Sequence, residues 1–200
     1  MKQILILVVV FALCVVLMNF LPVHGEEAVY ENVVRLHVIA NSDDESDQAL
    51  KLKVRDALLE KMPEILGSSS NRADALECIS ENLDLIRETA EKTVAESGFE
   101  YPVSVSLGRE NYPTKSYEEV CFPAGVYESL QIKIGDADGK NWWCVLFPRL
   151  CLAPASKKNA EEALVQVGLT SEQYRIITET EDTKYKLRFK FLELFNSVSE

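Results

Sequence analysis

The chain has 200 residues, of which 47% are hydrophobic and 8% are aromatic, a composition typical of a globular domain. It carries 21 basic and 32 acidic residues, so its net charge at pH 7 is -11. Because this excess of carboxylates repels nucleic-acid phosphates and anionic lipid heads, the charge excludes nucleic-acid binding and peripheral membrane binding.

The first 25 residues have the pattern of an export signal. One positive charge precedes an apolar run over residues 4–18, and Val23 and Gly25 stand where a signal peptidase requires small residues. We favour cleavage after Gly25, because the helix breaker Pro22 follows the apolar run at the expected distance. The alternative is a retained membrane anchor over residues 4–21, since this run approaches the about 20 residues that span a bilayer.

Both alternatives place the remaining chain outside the cytoplasm. Residues 26–32 are predicted to form a short linker and residues 33–200 a single domain, since the 175 residues after Gly25 suffice for one sizeable core. Loss of Lys2 with the signal leaves 20 basic residues against 32 acidic ones, a net charge of -12.

Residues 32–40 alternate between apolar and polar side chains, which predicts a half-buried strand. An acidic cluster follows and suits the start of a helix, which an apolar stripe extends over residues 43–66. Pro63 lies near the last turn, where proline tends to end a helix. A second apolar stripe predicts a helix over residues 72–97.

Two further strands are predicted, over residues 101–107 and 126–134, and residues 142–147 are expected to return as the hairpin partner of the latter. Ser129, Gln131 and Lys133 form the polar face of the second of these strands, which is therefore expected to face solvent. Helices are predicted over 157–167, over 171–177 and, with a strand as the alternative at its start, from Tyr185 onward.

The predicted fold class is α/β, a two-layer domain with a mixed sheet of about four strands packed against helices. The long crossover between the first two strands carries two helices, so these strands are expected to run parallel. The hairpin adds antiparallel strands to the same sheet.

No catalytic, metal or cofactor site is predicted. After removal of the signal His37 is the remaining histidine, and no Cys-x-x-Cys pair occurs, so a zinc site lacks ligands. Residues 135–140 follow neither the phosphate-loop nor the calcium-loop order, and hydrolase signature segments are absent. One enzyme remains as the alternative, an exported cysteine-dependent envelope hydrolase that uses Cys144 or Cys151 with His37.

Four cysteines follow the signal, and an even number in an exported chain suggests disulfides. They allow three full pairings, among which the sequence does not choose. Cys144 and Cys151 are a candidate pair, because they would close an eight-residue loop around Pro148.

The stretch NWWCVLFPRLC, residues 141–151, is apolar on both faces of a strand. Trp142 shares one face with Cys144, and Trp143 shares the other with Val145. We predict that one tryptophan packs in the core and the other lies near the surface as a binding anchor, since tryptophan is enriched among interface hot spots. Burial of both tryptophans under a helix is the alternative.

An interaction surface is the remaining function class. Its candidate residues are polar or aromatic and lie on the first strand, the loop and helix after it, and the segments around the later strands: Arg35, His37, Asn41, Asp47, Gln48, Lys51, Arg55, Asp56, Tyr112, Lys115, Tyr127, Asn141, Trp142 and Trp143. For the members from Arg35 to Asp56, a salt-bridged solvent face is the alternative, and composition and spacing alone favour it.

The order of several segments is more specific than any one of them. RLHVIANSD (35–43) and DQALK (47–51) are followed by YPTK (112–115), PAG (123–125) and NWWCVLFP (141–148). This order, after an export signal, strongly resembles the stage II sporulation protein R family of endospore-forming bacteria.

The resemblance implies a signalling role without catalysis. Members of this family are made in the forespore and secreted into the space between the two membranes that separate it from the mother cell. There they trigger a membrane-embedded aspartic protease, which removes the pro-segment of the sporulation sigma factor E precursor. The protease would thus be the partner, and no cofactor or catalytic residue is implied for this chain.

The chain departs from the family pattern in two places. The turn before the tryptophans is usually glycine-rich and here carries Asp136 and Asp138, and a proline usually stands where this chain has Arg149. Both changes lie on the candidate surface and are expected to tune the partner match.

Overall fold

The computed structural model describes residues 10–11, 26–67, 69–117, 120–151, 157–166 and 169–170. Its main elements are, in chain order, α1 (Glu26–Asn32), β1 (Val34–Ile39), α2 (Glu45–Leu66), α3 (Arg72–Glu81), α4 (Leu83–Glu96), β2 (Val103–Tyr112), β3 (Lys115–Tyr117), β4 (Val120–Phe122), β5 (Gly125–Ile134), β6 (Asn141–Phe147) and α5 (Lys157–Gln166).

Four strands form one mixed sheet in the order β2-β5-β1-β6, and β3 pairs with β4 in a separate ribbon. β1 runs parallel to β5 and antiparallel to β6, while β2 runs antiparallel to β5. The α/β class with a mixed four-stranded sheet packed against helices is therefore confirmed.

Two predictions about the strands are wrong. β1 lies between β5 and β6, so these strands do not form a hairpin. β1 runs parallel to β5 and β2 runs antiparallel to β5, so the first two strands run antiparallel to each other and not parallel. The connection over residues 135–140 crosses the end of β1, where Gly139 N donates to the Ala40 carbonyl at 3.0 Å. A connection of this length spans the about 10 Å between strands that are two positions apart.

Three helices cover the first face of the sheet. The apolar stripe of α2 is buried as predicted and packs against Leu36 and Val38 of β1 in the main core. Pro63 does not end α2, which continues to Leu66, because the proline costs one hydrogen bond in a turn already held by the buried Met62 and Ile65.

The helix predicted over residues 72–97 is divided at Asn82 into α3 and α4. The Asn82 side-chain amide donates to the Cys78 carbonyl at 2.8 Å, a local bond that competes with helix continuation. Both helices still bury the predicted stripe, including Ile79, Ile86 and Val94.

β1 is buried on both faces, so the prediction of a half-buried strand is wrong. A second apolar cluster covers the other face, with residues of α1, β2, β4, β5, β6 and α5 and of the chain shortly after α1 and α5: Val29, Val33, Tyr112, Val120, Phe122, Tyr127, Val145, Leu164 and Leu169. Residues 26–32 form a helix instead of the expected linker, because Val29 is fully buried in this cluster.

The helix predicted over residues 157–167 is confirmed as α5. The helices predicted over 171–177 and from Tyr185 onward lie outside the described residues. Among the described helices, none combines the length and the apolar composition needed to cross a membrane.

Candidate functional site

Arg35 occupies the centre of the second sheet face and is fully buried. Its Nε donates to the Cys144 carbonyl at 3.1 Å, and its Nη2 donates to the Tyr117 hydroxyl at 2.8 Å. Four aromatic rings surround the guanidinium carbon at 4.5 to 5.7 Å, those of Tyr112, Tyr117, Phe122 and Tyr127. Arg35, predicted to contact a partner, thus has no side-chain atom at the surface.

The ring cage stabilises a cation that has no carboxylate in hydrogen-bond contact among the described residues. Burial raises the pKa of both Tyr112 and Tyr117, so both phenols stay neutral. The Tyr112 hydroxyl pairs with the Ser129 hydroxyl at 2.7 Å. Tyr112 and Tyr127, also predicted to contact a partner, are likewise buried.

His37 lies one position further along this face and is 5% exposed. Its Nδ1 faces Glu110 Oε1 at 2.7 Å, and its Nε2 faces Asn141 Oδ1 at 2.8 Å. Burial alone would raise the pKa of Glu110, but the hydrogen bond from His37 and its charge, with bonds from Ser129 and Gln131, lower it overall. His37, predicted to contact a partner, thus bonds through both ring nitrogens to side chains of this chain.

The structure does not bring together the residues of the alternative hydrolase site. Cys144 and Cys151 are bonded to each other, which removes the free thiol that a nucleophile requires. Cys144 packs in the core of the first face, whereas the His37 ring contacts Tyr112 and Trp143 on the second. Among the described residues, no group of three His, Cys, Asp or Glu side chains is placed to hold a metal ion.

A clamp joins the loop after β1 to the connection between β5 and β6. Asp47 is buried and accepts from Asn41 Nδ2 at 2.8 Å and Ser42 Oγ at 2.7 Å, and these bonds lower its pKa despite burial. Asn41 Oδ1 also accepts from Asp136 N at 2.9 Å. Asn41 and Asp47, predicted as partner contacts, thus hold the two loops together.

Lys51 completes the clamp. Its Nζ donates to Gln48 Oε1 at 2.6 Å and to the Lys140 carbonyl at 2.9 Å, and burial lowers its pKa. Gln48 Nε2 donates to the Ser42 carbonyl at 2.8 Å. Lys51, predicted to contact a partner, is buried, and its ammonium group bonds inside the clamp.

The lowered pKa values of Asp47 and Glu110 predict a loss of stability in acid. A carboxyl group whose pKa is lower in the folded state stabilises the fold above its unfolded pKa of about 4, and this stabilisation disappears as the pH falls through the folded value. Asp47→Asn is expected to cost about 2 kcal/mol at pH 7 and to flatten the fall in stability below pH 4. Urea unfolding between pH 7 and pH 2.5 measures both effects.

The matched control is Asp56→Asn, since the Asp56 side chain is 64% exposed beside Arg55. This control is expected to keep the wild-type pH profile, because exposed ion pairs add little. An Asp47→Asn profile that stays parallel to the wild type down to pH 2.5 would contradict the assignment.

The two tryptophans are both half-buried, on opposite faces of β6, so neither the prediction of one core tryptophan nor its alternative is correct. The Arg55 guanidinium carbon lies 4.7 Å from the Trp142 ring centroid, and Lys115 Nζ lies 3.9 Å from that of Trp143. Alternation on the strand separates the rings, and each stays half-covered because a long cationic side chain crosses it.

A disulfide joins Cys144 and Cys151, whose Cα atoms are 5.8 Å apart, while Cys78 and Cys121 are free thiols. Cys151 N also donates to the Val145 carbonyl at 3.2 Å, so the loop is closed twice. The bond fixes the end of β6 next to the carbonyl that receives Arg35.

Cys151→Ser is expected to lower the free energy of unfolding by about 2.5 kcal/mol, the chain-entropy value for an eight-residue loop. Guanidinium unfolding without reductant measures this loss, and Cys78→Ser provides a control that keeps the disulfide. Equal stability of wild type and Cys151→Ser under oxidising conditions would contradict the assignment.

Several residues that line the second face are not among the predicted site residues: Glu110, Tyr117, Phe122, Ser129 and Gln131. The period-two alternation that begins at Val103 is a signal for one of them. Extended past residue 107, it places Glu110 on the same face of β2 as the candidate Tyr112. Tyr117 and Phe122 lie in the short ribbon, which carries no recognisable local pattern.

Comparisons with known proteins place the chain in a family. The model of the stage II sporulation protein R family matches residues 30–157. Stage II sporulation protein R of Bacillus subtilis (strain 168) is 34% identical over 157 residues, which cover 72% of this chain and 70% of that protein. No solved structure matches significantly. The chain therefore belongs to the stage II sporulation protein R family and has a role in sporulation.

Proposed function

We propose that this protein is an exported signal that activates a membrane-embedded aspartic protease, which then removes the pro-segment of the sigma factor E precursor. Family membership over residues 30–157 carries the proposal, together with the resemblance in segment order. The export pattern of residues 1–25 supports action outside the cytoplasm, in the space between the forespore and mother-cell membranes.

The chemistry of the described residues supports a role as ligand. His37 contacts Glu110 and Asn141, and Cys144 and Cys151 are bonded to each other. A protein that acts by binding a partner needs an accessible surface but no nucleophile. The bonded cysteines and the contacts of His37 are compatible with such a role. In this proposal the catalytic groups belong to the partner.

Two patches retain accessible candidate residues after the buried ones are removed. One lies on the helix side, where Arg55 covers Trp142 and Asp56 is exposed. The other lies on the opposite side, where Lys115 covers Trp143 next to the exposed Asn141. Tryptophan with a cation across its ring is well suited to a protein interface, since tryptophan and arginine are enriched among hot spots.

Deletion of the gene in its spore-forming host tests the proposal. Processing of the sigma factor E precursor should stop, while genes expressed before this step stay active. A copy that lacks residues 1–25 should not restore processing, because it is not exported. Normal processing in the deletion strain would reject the proposal, and restoration by the copy without residues 1–25 would reject the proposed location.

A further inference from the structure

β2 is a long edge strand. It contains ten residues, stands at the end of the sheet order, and pairs among the described residues with β5 alone. It contains neither proline nor lysine, the residues that commonly protect such an edge. An edge of this kind offers a row of backbone donors and acceptors to a second chain.

The register shows which of its backbone groups point outward. Gly135 N donates to the Pro102 carbonyl at 2.9 Å, and Val103 lies opposite Ile134 in an unbroken ladder. In an antiparallel ladder hydrogen-bonded and non-hydrogen-bonded pairs alternate. Even-numbered residues of β2 therefore bond to β5, and odd-numbered residues direct their N–H and C=O groups to the open side: Val103, Val105, Leu107, Arg109 and Asn111.

The opposite edge of the sheet is less suited to pairing. β6 has seven residues, and its Val145 carbonyl already accepts a hydrogen bond from Cys151 at 3.2 Å. The disulfide between Cys144 and Cys151 holds that loop against the end of the strand. Within the part of the chain that the structure describes, β2 thus offers the longer and less obstructed edge.

A groove beside β2 indicates the chemistry of an added segment. Ser106, Gly108, Ser129 and Gln131 line it with short or polar side chains, and Glu110 forms one wall. The Glu110 side chain is 23% exposed at this wall. A lysine or arginine over Gly108 would pair with the accessible part of this carboxylate, and the net charge of -11 also favours a cationic segment.

We infer that the open edge of β2 binds an extended, cationic segment from the extracytoplasmic part of the protease, which adds a fifth strand to the sheet. This inference rests on the proposed function and specifies how the partner is bound. Main-chain hydrogen bonds would come from the odd-numbered residues, and a basic side chain would face Glu110.

Arg109→Pro tests the main-chain contacts. The Arg109 side chain is exposed, and its N–H points to the open side, so proline removes one outward donor without breaking a bond to β5. Arg109→Ala is the matched control, since it removes the same side chain and keeps the donor. Asn111→Pro and Asn111→Ala repeat the comparison at a second exposed position.

Precursor processing in complemented deletion strains is the readout, with thermal unfolding of each purified domain as the folding control. Each proline variant should process the precursor at least about tenfold more slowly than the alanine variant at the same position. If the deletion strain processes the precursor normally, the proposed function is rejected. If processing requires the gene but the folded proline variants are as active as their alanine controls, only the edge contact is rejected.

A photo-cross-linker at Ser106 gives a readout that does not require a proline variant to fold. It should capture the protease in sporulating cells. Capture of a second copy of this chain, with no protease, would overturn the inference.

Glu110→Gln tests the charge of the segment. Binding to the purified extracytoplasmic part of the protease should weaken about tenfold, because a neutral amide loses the charge-assisted bond. Glu128→Gln is the matched control, since Glu128 lies opposite residue 109 on the other face of the sheet. Equal affinities for both variants would overturn the cationic assignment.

Discussion

Arg35→Ala is expected to lower the free energy of unfolding by about 3–5 kcal/mol, the largest effect of any substitution considered for this domain. The change empties the space between four aromatic rings and removes the donor to the Cys144 carbonyl. A cavity in a tight cluster and an unpaired buried carbonyl each destabilise the fold. Urea unfolding of the mature domain measures the loss.

Arg35→Met is the matched control, because methionine fills much of the same volume without charge or hydrogen bonds. Its loss should be smaller than that of Arg35→Ala, since it avoids most of the cavity. Sporulation signalling should decline in both variants in proportion to the fraction of folded protein. Wild-type stability of Arg35→Ala would contradict the buried position of Arg35.

Gly139→Ala is expected to lower the free energy of unfolding by about 3 kcal/mol. A methyl group at this position would lie 2.2 Å from the Ser42 carbonyl oxygen and 2.5 Å from its carbon. Both atoms are backbone of the clamp loop, which Asp47 and Asn41 hold in place, so the clash is not relieved by a side-chain rotation. Thermal and urea unfolding both report the loss.

Gly108→Ala is the control, because a methyl group there meets no atom within 4 Å. Its stability should remain within about 0.5 kcal/mol of the wild type, as for most substitutions away from packed sites. Equal effects of the two substitutions would show that the loops are not in contact at Gly139.

The fold class and the helix that begins the crossover followed from local periodicity. α2 carries an apolar stripe long enough to predict its position, and it packs on the sheet as expected. The double burial of β1 could not be predicted in this way, because Arg35 and His37 read as a solvent face. Arg35 bonds to Tyr117, 82 residues further along the chain, and His37 bonds to Glu110, 73 residues further along. A local sequence pattern does not predict contacts at such separations.

The candidate surface shows a related limit. Polar residues near the end of β1, among them Asn41, Asp47 and Lys51, bond to each other and to the loop before β6. A sequence pattern does not distinguish a polar side chain that stabilises two loops from one that awaits a partner. Strand order was missed for the same reason, since the connection over 135–140 allows either a hairpin or a step across β1.

The inferred contact on β2 places partner binding away from the two tryptophans. In the segment 141–151 both tryptophans are half-buried, and the disulfide fixes the end of the strand. β2 has no comparable motif but exposes a regular backbone edge. Binding through main-chain groups would leave a weak trace in side-chain identity, because any residue except proline supplies the donor.

Reconstitution in non-sporulating cells tests the central claim most directly. The chain with its export segment, the membrane-embedded protease and the sigma factor E precursor are produced together, and precursor cleavage is followed by immunoblot. We expect cleavage when all three proteins are present and none when this chain is omitted or lacks residues 1–25. Cleavage at the same rate without this chain, or no cleavage with all three proteins present, would contradict its role as the activating signal.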